Sequence, residues 1–561
     1  MIRSERLRDA AIAGGIAAAA SIAYLAAFRA GFVWDDHDLI LESTLLRGPL
    51  SRIWFSADAT DYWPLTWTTF WVEARAFGLA AAPFHAVNVA LHAVASLVLW
   101  RLLRALRVPG GAVAGLLFAV HPVAVESVAW ISERKNVLSA VFFFASLVAW
   151  ARYDDGGRRR DGMASFLLYV LSLLAKTSVV MLPFVQLGIS LWRRGTITRR
   201  DLARTAPFFL LSAAFAAVTI RFQSSHVVRG EIAERGIAER IGGAGWALVS
   251  YAQKAFVPID LALVYPRWPI EPGTAGFWVP LVAVLVLAVA AWWISRRSSG
   301  RPIAFALGYH ALMVLPVLGL LDMAYLAVGP VSNHLQYLAL AAPCALAGAG
   351  LAVLHRRLPR VAVAVGAVAS MALGVYTHRR AEAFESDLRL WESASRDSPR
   401  SLYASMSLAQ ERGATVSVAA AVAELQAFAE RTPDEADRRL ARAQAFVYLR
   451  RPADAASEAI AAERLRPDVQ RQIEIGRFLV TSGFLEDAIR VLAAQAGRSP
   501  RSADVRYWLG AALWRAGRPG EAREAVLDGL RVSPGDPKLR RALALFDAPG
   551  QAAPRPREAR P

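Results

Sequence analysis

About eleven apolar runs, separated by short clusters of arginine, constrain this 561-residue chain more than any other feature. They cover approximately 10–30, 84–106, 112–131, 137–152, 163–175, 178–192, 205–221, 275–295, 302–321, 335–354 and 361–377. With 55% hydrophobic residues, the chain reads as a polytopic membrane protein rather than a water-soluble enzyme. The formal net charge of +18 would otherwise suggest nucleic acid. Its arginines, however, sit in connectors: "RLLRALR", "DDGGRRRDG", "WRRGTITRR", "SRRSSGR" and "HRRLPR". That spacing argues against a nucleic-acid face and fits cytoplasmic loops. By the positive-inside rule the N-terminus is expected to be cytoplasmic and the C-terminal third to emerge on the outer, extracytoplasmic face. The lone Cys344 excludes an intrachain disulfide framework. The stretch "MIRSERLRDAAIAGGIAAAASIAYLAAFRA" starts like a secretory signal, but its apolar part is long and flows into an acidic cluster. It is expected to be a retained first span.

The segment "MASFLLYVLSLLAKTSVVMLPFVQLGISLW" is basic on both flanks, so the chain is expected to enter the membrane and return. Each half is then short, about 20 Å of helix against a hydrocarbon thickness of about 30 Å. The turn at Lys176-Thr177-Ser178 must sit below the surface, lining a hydrated cavity or packing on protein.

After residue 385 the composition shifts to Ala, Arg, Glu and Leu with helical periodicity. Pro399, Pro433, Pro467, Pro500 and Pro534 recur at spacings of 34, 34, 33 and 34. In that register Gly510 aligns with Gly476, Gly517 with Gly483 and Ala522 with Ala488. This is the tetratricopeptide pattern, clear over 436–536 and preceded by a degenerate copy. The fold class is therefore all-α. A membrane domain over 1–380 is followed by a tetratricopeptide solenoid over 386–545, and the tail 546–561 is expected to be disordered.

The costly polar residues collect on the outer side. The first outer loop, about 31–83, carries Asp35, Asp36, His37 and Asp38 directly after Trp34. Asp38 reads as a solvated charge, while the adjacent Asp35 and Asp36 at a membrane exit read as functional. The aromatic stretch "DYWPLTWTTFWVEARAFGL", with Tyr62, suits the interface beside a lipid substrate. In "HPVAVESVAW", Pro122 frees a carbonyl, and Glu126 at membrane depth reads as a catalytic carboxylate needing water or a cationic partner, the alternative being a structural ion pair with His121 or Arg134. In "SERKN", Arg134 and Lys135 near a helix start form a phosphate-binding site in prospect, and Lys176 adds a third cation. His334 begins a span on the same side. Carboxylates, cations and aromatics converging on a cavity open to lipid suit a sugar on a polyprenyl phosphate. The cations hold the leaving phosphate, and one carboxylate deprotonates an acceptor hydroxyl.

The motifs "VWDDHDLI", "YWPLTW", "FHAVNVALH", "HPVAVESVAWISERKNVLS", "LLAKTSVVMLPF", "YPRW" and "NHLQYLA", followed by tetratricopeptide repeats, resemble bacterial multispanning tetratricopeptide proteins. These are similar to the eukaryotic transmembrane and tetratricopeptide-repeat O-mannosyltransferases and, more distantly, to protein O-mannosyltransferases of the GT-C fold. The resemblance implies inverting transfer from a polyprenyl-phosphate sugar. It implies Asp35 as the base, Asp36 as orienting group or metal ligand, and phosphate contacts from Arg134 and Lys176. A divalent metal and a lipid-linked donor are the cofactor and substrate so implied. Two departures stand out: Trp63 where the eukaryotic motif has Arg, and Asn333 where the bacterial pattern has an acid before His334. The repeats are expected to bind an acceptor protein, peptide or glycan, or else to cap the membrane domain. The competing class is a membrane scaffold with an inactive transferase-like core. A transporter would show charges reaching both faces and inverted halves, which the chain lacks.

Overall fold

The computed structural model describes residues 2–56, 61–226, 236–268, 272–321, 323–465, 469–498, 500, 502–533 and 536–547. All regular structure among them is helical. Among the described residues, six helices are long and apolar enough to cross a membrane: Ala81–Ala105, Ile131–Asp154, Arg199–Phe222, Ala275–Ser295, Leu338–Arg357 and Pro359–Glu385. A seventh span results if Gly111–Ala119 and Pro122–Ala129, bent by 48°, are taken together. The chain is thus multi-pass, but the expected eleven spans are not reached.

The shortfall has local causes. The run at 163–192 is split at Lys176 into helices Arg159–Ala175 and Leu182–Arg194, of 17 and 13 residues. The run at 302–321 stops as Arg301–Val314 and tightens into a 3₁₀ turn at Leu315–Val317, where Pro316 cannot donate. The first helix, Ile2–Ala23, spends its opening turns on charged residues and gives way to a 3₁₀ turn at Leu25–Arg29. One helix was not expected at all: Ile237–Phe256, whose Glu239, Arg240 and Lys254 disguise its apolar face.

The ion pairs at one end of the bundle fix the path of the short helices. Arg193 and Arg194, closing Leu182–Arg194, pair with Asp155 at 2.6 Å and Asp154 at 2.7 Å, at the end of the preceding long helix. Both basic flanks of 163–192 therefore meet, and the chain does go out and come back. At the far end Thr66 Oγ donates to the Ala175 carbonyl at 3.0 Å, occupying a backbone acceptor that the broken helix exposes. The break at Pro122 is treated alike: Thr377 Oγ donates to the Val120 carbonyl at 2.8 Å, and His92 Nε2 lies 3.0 Å from that of Ala119.

Beyond the bundle, helix Asp387–Asp397 and four helix hairpins follow, from Leu402–Thr415 with Val418–Arg431 to Ala503–Arg515 with Pro519–Val532. Helix Pro537–Phe546 comes after them. The repeat glycines behave as their spacing predicts. A Cβ at Gly476 would stand 2.5 Å from Leu492, and one at Gly510 2.7 Å from Val526, so the paired helices cross where only hydrogen fits. Pro467, Pro534 and the tail from residue 548 lie outside the described residues. Leu390, Trp391, Ala394, Ala404 and Leu408 belong to the same continuous core as the membrane helices, so the solenoid begins docked on the bundle.

Candidate active site

The acidic loop leaves the first helix region at Gly31 and closes in a π turn at His37–Leu41. Between them, Trp34 takes φ = +52°, and the next two carboxyls both reach Ser132, one at its backbone and one at its hydroxyl. Asp36 turns inward. Its two oxygens accept from the backbone N–H of Val33 at 3.1 Å and of Ser132 at 2.8 Å, and it is fully buried. Asp35 is half-buried and accepts from Ser132 Oγ at 2.8 Å. Asp38 is exposed. Burial, and then the neighbouring Asp35 charge, push the Asp36 carboxyl up to about 7. Burial also raises Asp35, against the opposing pull of Lys135 and the Ser132 hydroxyl. A carboxyl raised in this way, with one face open, has the character of a general base.

Asp35 shares its surroundings with a cluster of cations gathered by Glu133. Lys135 Nζ lies 2.5 Å from Glu133 Oε1 and 3.2 Å from the Ser132 carbonyl, and it sits over the Trp63 ring at 4.7 Å. Trp63 therefore serves as a seat for the ammonium. Asn136 ties in a second lysine: its amide donates to Glu133 Oε2 at 2.6 Å, and its carbonyl oxygen accepts from Lys176 at 2.5 Å. Lys176 Nζ is itself 4.0 Å from Glu133.

A second carboxylate nest adjoins this one. Glu126 accepts from Asn333 Nδ2 at 2.6 Å, Ser332 Oγ at 2.9 Å and the His334 N–H at 3.1 Å. The ring nearest to it is that of His334, with Nδ1 at 3.2 Å, rather than the expected His121 or Arg134. The His334 ring spans the nests, with its other nitrogen 3.9 Å from Glu133. Asn333 donates to Glu126 and to the Ala262 carbonyl while accepting from Tyr265 at 2.9 Å. An acid in that place would present a second carboxylate to the first.

Three expected site residues lie elsewhere. Arg134 is fully enclosed: it binds Glu73, Asn88 Oδ1 at 2.7 Å and the Phe84 carbonyl at 2.8 Å, under the faces of Phe70 and Phe84. Its donors are taken up by protein groups, so it is placed as a clasp between helices and not beside Lys135. His121 caps a 3₁₀ turn, accepting from the Val123 N–H at 3.3 Å, and its other nitrogen faces the Ala255 carbonyl. Tyr62 reaches the Trp54 carbonyl at 3.4 Å and packs on Phe222.

Sequence reasoning missed Ser132, Glu133, Asn136 and Asp387. The first three lie in "SERKN", where attention to the cations hid the acid that assembles them. Asp387 has no local signal, since its partners are some 350 positions away: it accepts from the Trp34 N–H at 2.7 Å and pairs with His37 at 2.7 Å. Among the described residues, no group of three His, Cys, Asp or Glu side chains could hold a metal ion. Asp36, the nearest candidate ligand, has both oxygens on backbone donors, so the described set does not fit a metal and no step is drawn through one.

Known proteins agree with this picture in two places. A family model described as tetratricopeptide repeat matches residues 479–546. The chain is 32% identical over 178 residues to protein O-mannosyl-transferase F38B6.6 of Caenorhabditis elegans, covering 28% of this chain and 25% of that protein. It is 29% identical over 191 residues to protein O-mannosyl-transferase Tmtc1 of Drosophila melanogaster, or 31% of this chain and 22% of the other. It is 30% identical over 139 residues to human protein O-mannosyl-transferase TMTC3, or 22% and 15%. The chain thus matches about a quarter or less of the length of these relatives. The resemblance to transmembrane and tetratricopeptide-repeat O-mannosyltransferases carried by the motifs is shown by these matches.

Proposed function

We propose that this chain is an inverting glycosyltransferase of the GT-C type, moving a sugar from a polyprenyl phosphate to a hydroxyl of an acceptor protein. The site faces the periplasm, the N-terminus lies in the cytoplasm, and the repeats carry the acceptor. The printed names of the relatives support mannose as the sugar and protein as the acceptor. The basic end of the bundle, with Asp154 and Arg194 at its centre, supports the orientation.

One observation carries the reading. The half-buried Asp35 carboxylate lies within the electrostatic reach of Lys135, in the same cluster that holds Lys176 at a broken membrane helix. In the proposed step Asp35 takes the proton of the acceptor hydroxyl as that oxygen attacks the anomeric carbon. The bond from carbon to phosphate oxygen breaks, and its electron pair leaves with the polyprenyl phosphate. Lys135 and Lys176 compensate the phosphate charge. Attack opposite the leaving group inverts the anomeric centre. Asp36, held by two backbone N–H groups, orients the loop rather than the substrate. Glu126 fixes His334 and the Ser332–Asn333 turn, and His334 supports Glu133 from behind.

The test is purified chain in lipid nanodiscs with a panel of radiolabelled polyprenyl-phosphate sugars and a peptide acceptor. Asp35→Asn is expected to lower transfer by about 10²- to 10⁴-fold. A parent that moves no sugar leaves the scaffold reading in possession. An Asp35→Asn variant at the parent rate removes Asp35 as the base.

A further inference from the structure

The acidic loop is not held by the membrane helices alone. Trp34 adopts a left-handed backbone conformation at φ = +52°, which a bulky residue takes only when its surroundings enforce it. Its indole stacks on Trp130 at 4.7 Å and 9°. It also meets two rings from the repeat side of the molecule, Trp391 at 5.0 Å and Tyr403 at 6.0 Å. The Trp34 N–H donates to Asp387 Oδ1, and the other Asp387 oxygen takes His37 Nε2, both at 2.7 Å. The Gly31 N–H donates to the Glu385 carbonyl at 3.1 Å. One carboxylate thus brackets Asp35 and Asp36 from both sides, at Trp34 and at His37. It opens helix Asp387–Asp397, whose N-cap Ser386 accepts from the Arg389 N–H.

We propose that Asp387 is a positioning residue for the transferase reaction: by fixing Trp34 and His37 it sets the direction of the Asp35 carboxylate, so that the C-terminal helices complete the site. The proposal rests on the reading of Asp35 as base. It gives the docked solenoid a part in the chemistry beyond carrying the acceptor, because a shift of helix Asp387–Asp397 moves the loop on which the base sits.

The experiment uses the full chain in nanodiscs and reads two quantities. The first is kcat and KM for the polyprenyl-phosphate sugar. The second is amide hydrogen exchange across residues 31–41. Asp387→Ala is expected to lower kcat by about 10- to 100-fold with KM changed less than about two-fold, since a misdirected base costs rate and not donor affinity. Exchange at 31–41 is expected to rise by at least about five-fold while that of Ala81–Ala105 stays at the parent value. Asp387→Asn keeps an oxygen for the Trp34 N–H and is expected to recover most of both. If Asp387→Ala does not fold, Trp391→Leu, which removes the ring contact that the same helix makes with Trp34, is read in its place. Unchanged exchange at 31–41, or a kcat within about two-fold of the parent, overturns the proposal. A parent that moves no sugar refutes the transferase reading separately, and the exchange at 31–41 then decides alone whether Asp387 holds the loop.

Discussion

Arg134 and Lys135 are neighbours in sequence, yet their cations end in cages of different kinds. The guanidinium of Arg134 is closed in by Glu73, Asn88, the Phe84 carbonyl and two aromatic faces. The ammonium of Lys135 is tethered to Glu133 and the Trp63 ring in the cluster that contains Asp35. Arginine suits the first place because its planar fork satisfies several acceptors at once, whereas lysine suits the second as a compact charge on a flexible stem. The lesson is that a run of charges at a helix start divides its work. One residue fastens helices together and the next joins the acidic cluster beside Asp35.

The sharpest way to break this comparison is Arg134→Met. It leaves Glu73 buried without its partner and is expected to cost about 3–5 kcal/mol, seen as loss of folded protein in detergent thermal unfolding. Arg134→Met combined with Glu73→Leu is expected to restore much of the fold. If the single variant folds normally and loses only transfer, Arg134 belongs with the site after all. Lys176→Met should show the reverse, transfer falling about 10²-fold with an unfolding midpoint within about 5 °C of the parent. Equal loss of fold would place Lys176 with Arg134.

Asn333→Asp tests the neighbouring nest. It sets a carboxylate where an amide now donates to Glu126 at 2.6 Å, and should lower stability by about 1–3 kcal/mol. The smallest effect concerns pH. Burial raises Asp35, so the acidic limb of the transfer rate should fall above the ordinary carboxylate range of about 4. Lys135 favours the ionised form, so Lys135→Met should raise the Asp35 value further and move the limb to higher pH. A limb that moves downward in the rate profile contradicts the sign of that coupling.

The legible parts share a physical character. The repeats could be read because Gly476 and Gly510 answer local crossings, against Leu492 and Val526, while Gly483 and Gly517 answer turns at positive φ. The out-and-back path at 163–192 was legible because basic flanks report sidedness directly, and Arg194 does meet Asp154. The span count was not, since apolar length says nothing about where a helix breaks at Lys176 or tightens at Pro316. Within the site, residue types pointed to Asp35, Lys135 and Lys176 but could not say that Arg134 faces Glu73. That choice is made by packing between distant helices, here Pro64–Phe77 and Ala81–Ala105. The hold of Asp387 on Trp34 is likewise a product of the tertiary fold.

The two stunted helices that meet at Lys176 have a consequence for the surrounding bilayer. At 17 and 13 residues they rise only about 25 and 20 Å, so the wall of the protein there is lower than the oily layer it stands in. Lipid must dip to meet it, drawing water and headgroups down towards the lysine. For the donor proposed above, a phosphate on a long isoprenoid tail, that notch is a sideways way in, its chain never leaving the leaflet.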